Sequence, residues 1–304
     1  TLGKIWDLAD QDKDGNLEKV NDIHDDVAVE VAKYWTPKKS GKHPDLGKKH
    51  EAILAKDLKV SGKDFFEQVN QNHFNFQNFG PISLKDFLRK ARLDKYVKDE
   101  YLDDCLDVTS HQPAIGKGEF LLVANFGNIN FADGSGDLVD NDGNRIEVKG
   151  KHANLGGKNE WFKQMNRSVL FSLFNLFETG TQEKDLNLEV IEDLEKKVLA
   201  NKSRMPELML LLQNLKKPSQ SLARQMCELF NSSRNLKHVI AAAHFLAYMK
   251  SQKANYLFAL NDNVFAGFEA PKNLQQAYEI MLHFNVNAWL TGNRGISISM
   301  KNGK

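Results

Sequence analysis

Two short segments decide the reading of this chain: Gly136-Asp-Leu-Val139 and Arg145-Ile-Glu-Val-Lys149, separated by Asn141-Asp-Gly-Asn144. Asp-Gly or Asn-Gly between alternating residues is a strong hairpin signal, so strands are expected over 136–140 and 145–151. The strand period of two sends Ile146 and Val148 to one face and Glu147 and Lys149 to the other. An antiparallel hairpin brings Asp137 within a few ångströms of that charged face. The bland alternative is an amphipathic hairpin whose charged face simply meets solvent.

Working outward, His111 to Gly118 carries a proline and two glycines before Glu119-Phe-Leu-Leu-Val-Ala-Asn-Phe126, a short apolar helix candidate. Residues from about 160 to 249 return to helical spacing, with one stripe at Leu186, Val190, Ile191, Leu194 and Val198. A second stripe runs through Leu236, Val239, Ile240, Ala243 and Leu246. Tyr256 to Leu260 reads as a buried strand, Leu274 to Phe284 as a helix, and Ile296 to Met300 as a last strand. Before Val108 the chain reads as helices and polar loops with no good strand. There, Ser83 and Asp86 resemble a capping box opening a helix toward Asp104. The expected organisation is a mainly helical accessory region over 1–108 and an α/β domain over 109–304, with a helical insertion at about 157–234.

Carboxylates that hold Mg2+ or Mn2+, with a lysine beside the attacking water, are what phosphodiester hydrolysis needs. In that chemistry Asp137 and Glu147 are candidate metal ligands, and Lys149 positions or activates water. The pattern resembles the PD-(D/E)XK nuclease superfamily, which includes restriction enzymes and Holliday-junction resolvases. The matching residues are Gly136-Asp137-Leu138-Val139, Ile146-Glu147-Val148-Lys149-Gly150 and, from the preceding helix, Gly116-Lys-Gly-Glu119. Glu119, Asp137, Glu147 and Lys149 are separated by 18, 10 and 2 positions. The resemblance implies a restriction-endonuclease-like core, a mixed sheet flanked by helices, with the helix and strand of 235–260 as its later elements. It implies Glu119 as a further metal ligand and Mg2+-dependent hydrolysis of DNA. One departure is Gly136 where the superfamily has proline.

Near the start, Asp10-Gln-Asp12-Lys-Asp14-Gly15-Asn16-Leu17-Glu18 matches the first nine positions of an EF-hand loop. Asp10, Asp12, Asp14 and Asn16 are thus candidate Ca2+ ligands, although Asn21 stands where a bidentate glutamate normally closes the loop. The alternative is a solvated Asp/Gly turn capping a helix.

The bulk numbers set limits. With 304 residues and 41% apolar content the chain can fill a real core. Its 41 basic and 40 acidic residues exclude a global electrostatic pull toward nucleic acid, so any basic surface is local. One local excess is Lys38 to Lys63, with eight lysines against three acids, read either as a phosphate-contacting surface or as a solvated face. Cys105 and Cys227 lie far apart with no metal-ligand spacing, which fits a reducing compartment and a cytoplasmic protein. No run approaches the roughly 18 apolar residues of a membrane span. Histidines 111 and 152 lie close enough in sequence to the hairpin to be proton donors, although a lone histidine is more often structural. Phe171, Phe174 and Phe177 read as core at helical spacing. DNA is the expected partner, with self-association open. The competing reading is a non-catalytic structural or DNA-binding component of a bacteriophage particle or genome-processing assembly, located in the virion or the host cytoplasm.

Overall fold

In the computed structural model, residues 18–75, 80–108, 110–111, 114–133, 136–151, 153–156, 188–204, 207, 217–233, 235–262, 264–289 and 296–301 are described. The calcium-loop residues Asp10, Asp12, Asp14 and Asn16 lie outside them, as do His152, the three phenylalanines of 171–177 and the first part of the expected insertion. Contacts divide the chain into two units, Thr1–Val148 with Asn263–Ala266, and Lys149–Asp262 with Gly267–Lys304.

The first unit opens with helices α1 (Glu18–Tyr34), α2 (Pro37–Ser40), α3 (Leu46–Asp57) and α4 (Gly62–Gln71). Strand β1 (Ile82–Ser83), helices α5 (Leu84–Lys90) and α6 (Tyr101–Asp107), and the short strands β2 (Ser110–His111) and β3 (Ala114–Ile115) follow. Ser83 caps α5 by accepting the Asp86 N–H at 3.2 Å, as its sequence suggests. The helix does not reach Asp104, however. Arg92 enters the left-handed region with φ 53°, and the Leu93 N–H closes back on the Leu88 carbonyl at 2.9 Å, which buries Leu93 and reverses the chain. A separate helix, α6, supplies Tyr101 and Cys105 to the core.

Aromatic packing around one histidine organises this unit. His50 is fully buried, and the rings of Trp35, Phe65, Phe66, Tyr101 and Phe120 lie 5.7–6.2 Å from it, centroid to centroid. Trp35 Nε1 donates to His50 Nδ1 at 3.0 Å, which makes Nε2 the protonated nitrogen of the neutral ring and hence the donor to Tyr101 Oη at 2.9 Å. Burial lowers the His50 pKa to about 3.

Helix α7 (Lys117–Asn125) is buried from Phe120 to Asn125, so it has core on every side. Its C-terminal carbonyls would be orphans without partners. Tyr34 Oη donates to Val123 O at 2.6 Å, and the buried ammonium of Lys39 donates to Phe126 O, Gly127 O and Ile129 O at 3.1, 3.0 and 2.6 Å. Lys39 Nζ also sits 4.8 Å from the Tyr34 ring centroid. Replacing Lys39 with methionine keeps the stem and removes the ammonium donor from Gly127 O and Ile129 O, while Phe126 O keeps Tyr34 Oη and the Ile129 N–H. A stability loss of about 2–4 kcal/mol is expected, read by urea denaturation.

The chain then forms a meander of β4 (Ile129–Phe131), β5 (Leu138–Asp140) and β6 (Arg145–Lys149). Strand β4 was not expected. Three residues after Gly127-Asn128, one of them Asn130, carry too little pattern to announce a strand, and pairing of Ile129 with Asp140 and Phe131 with Leu138 creates it.

The second unit holds β7 (Ala153–Leu155), α8 (Leu188–Ala200), α9 (Lys217–Ser233), α10 (Leu236–Gln252) and β8 (Tyr256–Asn261). After β9 (Val264–Glu269) come α11 (Leu274–Met281), β10 (Phe284–Trp289) and β11 (Ile296–Met300). The single apolar stripe expected on α10 understates its burial. Val239 to Ala243 and Phe245 are all inaccessible, because α9, α11 and β10 pack around the helix. The expected helix from Leu274 stops at Met281, and Phe284 instead begins β10, paired with Met300. Strands β7, β9 and β10 also went unread in the sequence.

The result is an α/β fold. A mixed six-stranded sheet, in the order β1-β9-β8-β6-β5-β4, is flanked by helices, and β10-β11-β7 form a second, three-stranded sheet. Among the described residues no helix is long and apolar enough to cross a membrane.

Candidate active site

The β5–β6 turn sets the register. Asp140 Oδ1 accepts the Asp142 and Asn144 N–H groups at 3.0 and 2.8 Å, and Oδ2 accepts the Asn144 side-chain amide at 2.9 Å. Gly143, at φ 85°, takes the left-handed position that this reversal requires. Leu138 then pairs with Ile146 and Val139 with Arg145. The regular pairing ends at Leu138, so Asp137 lies just outside the paired ladder.

Asp137 is tied to β6 twice. Its N–H donates to Ile146 O at 3.1 Å, and its carboxylate Oδ2 accepts the Val148 N–H at 2.7 Å. The side chain thus replaces a main-chain acceptor at the mouth of the hairpin and is held in one orientation. Gly136 explains the departure from proline at this position. Its φ is 80°, whereas proline is confined near −65°. A Cβ there would lie 3.4 Å from Arg145 Cβ. Gly136→Pro is therefore expected to cost at least ~3 kcal/mol by urea denaturation, and Gly136→Ala about 1–2 kcal/mol.

Glu147 departs from the simple alternation picture. Ile146, Glu147 and Val148 are all buried, Glu147 with 3% of its surface exposed, so the charged face of β6 is covered rather than bathed in solvent. A carboxylate placed inside a fold rather than in solvent is a candidate for a functional role. Lys149 follows on the same strand, half-buried, with Nζ 5.1 Å from the centroid of the Tyr248 ring on α10. Tyr248 was missed in the sequence because it sits among the apolar residues of a buried helix, where an aromatic reads as core.

Glu119 is placed by a different task. It is the third residue of α7, and its Oε1 accepts the Gly116 N–H at 3.1 Å while the Glu119 N–H donates to Gly116 O. Gly116 permits this closure, since a Cβ there would lie 2.8 Å from Oε1. Among the described residues no three His, Cys, Asp or Glu side chains form a cluster able to hold a metal ion. The Asp137 carboxylate reaches β6 at Val148, the residue after Glu147, and these two carboxylates are the candidate ligand pair at the hairpin. His111 lies on β2, in the stretch before α7.

Comparison with known proteins assigns nothing: no family model, no curated protein and no solved structure matches this chain.

Proposed function

We propose that this protein is a metal-dependent phosphodiesterase, and within that class a DNA endonuclease of the PD-(D/E)XK kind. The observation that carries the reading is the buried Glu147 carboxylate on β6, one residue before the Val148 N–H that clamps the Asp137 carboxylate, with Lys149 two residues further along the strand. The order of elements supports it as well: helix α7, the meander β4-β5-β6, helix α10 and then β8, with β4-β5-β6-β8 adjacent in that order within the sheet.

Two carboxylates are a hard oxygen donor set suited to Mg2+ or Mn2+, which are commonly held by one or two carboxylates with water and substrate phosphate completing the shell. Asp137 and Glu147 would hold the ion, with the Asp137 carboxylate fixed by the Val148 N–H. The bound ion would lower the pKa of its water and offset charge on the phosphoryl oxygens. Lys149 orients the attacking water from its place on the same strand. Glu119 completes the family pattern in sequence, and its capping bond to Gly116 gives it a structural task alongside any contact with the metal shell.

A non-catalytic protein that keeps this fold is the second reading. The observation favouring it is that Glu119 and Asp137 each commit a carboxylate oxygen to a main-chain N–H. Incubation with supercoiled, linear and branched DNA in Mg2+ or Mn2+ decides between them. Cleavage that EDTA abolishes and that needs Glu147 supports the enzyme; DNA binding without turnover supports the second reading.

A further inference from the structure

The lysine-rich stretch of the first unit has a definite place in the fold. Strand β4 is the end strand of the six-stranded sheet, and the loop after α2 lies over it. Gly41, at φ 57°, packs so closely on Phe131 that a Cβ would meet Phe131 Cβ at 3.0 Å, and the His43 ring lies 5.6 Å from the Phe131 ring. Phe131 pairs with Leu138, and the next residue, Ala132, donates its N–H to Asp137 O at 3.2 Å. The loop therefore packs on β4 at Phe131, whose side chain shares a sheet face with Leu138 and Ile146, about two strand spacings of roughly 4.8 Å from β6.

This loop and the first turn of α3 are mainly basic. Between residues 38 and 49 there are five lysines and a single acid, Asp45. Lys39 is withdrawn into the carbonyl cage at the end of α7, while Lys42 and Lys48 are exposed and Lys49 is half-buried. The first turn of α3 contains no acid, so its lysines add to the positive end of the helix dipole. His43 registers the local potential: partial burial, then Lys49 and Lys42, push its pKa below the ordinary histidine value. Across a chain of formal charge +1 this is a local electropositive patch, and its chemistry is that of a polyanion backbone.

We infer that Lys42, His43, Lys48 and Lys49, on the loop and helix end beside β4, hold the sugar–phosphate backbone of DNA. The inference rests on the nuclease reading for its choice of DNA, but binding and cleavage are tested separately. Phosphate contacts position a duplex without reading its sequence, so affinity through this patch falls steeply with salt and varies little between sequences.

The test measures anisotropy of a labelled DNA duplex with the full chain carrying Glu147→Gln, in EDTA and in Mg2+, from about 50 to 200 mM salt. Combining Lys42→Gln, Lys48→Gln and Lys49→Gln is expected to weaken binding at least ~10-fold and to flatten the log–log salt dependence by about 2–3 units. A charge-matched control, Lys63→Gln with Lys85→Gln and Lys95→Gln, exposed elsewhere on the same unit, is expected to change binding less than ~2-fold. Equal losses in the two triples overturn the patch, and so does a parent that binds no duplex under either condition. Patch-dependent binding with no metal-dependent cleavage by the Glu147-intact protein removes the nuclease and leaves the patch. Cleavage with patch-independent binding does the reverse.

Discussion

Replacing Glu147 with glutamine is expected to reduce metal-dependent DNA cleavage by about 10^3-fold or more while leaving a folded protein, since glutamine keeps the size and shape of the side chain buried on β6. Glutamine offers one neutral oxygen in place of the carboxylate, so a metal held by Asp137 and Glu147 loses charge neutralisation worth several kcal/mol. Each ~1.4 kcal/mol is tenfold in rate. Lys149→Ala is expected to lower turnover by ~10^2–10^4-fold with a smaller effect on metal affinity. Rates are read from loss of supercoiled substrate, and stability from urea denaturation of the same preparations. If Glu147→Gln cleaves like the parent, or if it loses stability and activity together, the carboxylate is not the metal-binding group proposed.

Acidification below about pH 6.5 is expected to destabilise the protein steeply, with His50 as a principal cause. Burial lowers its pKa in the folded state to about 3, from the ordinary 6.5. The folded protein therefore binds fewer protons than the unfolded chain between those values. The stabilising contribution is fully present above pH 6.5 and is lost as the pH falls toward 3, at about 1.4 kcal/mol per pH unit. From pH 7.5 to pH 5 that amounts to about 2 kcal/mol. Protonation would also place a donor on Nδ1, facing the Trp35 Nε1–H that now points at it, and break the chain from Trp35 through His50 to Tyr101. His244, buried in the second unit with its pKa likewise lowered to about 3 by burial, adds a similar slope there. The check is urea denaturation at both pH values on the parent and His50→Gln. The stability gap between them should narrow by about 2 kcal/mol on going to pH 5. A gap independent of pH would mean that His50 is not neutral in the fold.

Legibility in the sequence tracked how local each feature is. The hairpin from Asp137 to Lys149 was readable because its determinants are neighbours: a turn dictated by Asp140 and Gly143, and alternation over five residues. The cap at Ser83, the apolar helix after Gly116, the strand from Tyr256 and the last strand at Ile296 were readable for the same reason. Strand β4 was not, because three residues become a strand only when β5 pairs with them. The reach of α5 was overread, since Arg92 has an ordinary identity in an unusual conformation that the burial of Leu93 enforces.

For the candidate site the division is sharper. The sequence by itself determined which residues share a strand face, since alternation and a two-residue offset place Glu147 and Lys149 together whatever else packs around them. It also determined that the charge must be local, because 41 basic and 40 acidic residues leave almost no net field. Only the tertiary structure decided that Glu147 is buried rather than solvated and that Asp137 is clamped by the Val148 N–H. It likewise decided that Glu119 closes on Gly116, and that one lysine of a basic run is drawn in by the carbonyls that follow α7 while its neighbours stay out beside β4. The reason is physical. Side-chain direction along a strand follows from backbone geometry that every residue carries with it, whereas burial and partner choice depend on surfaces brought together from distant parts of the chain.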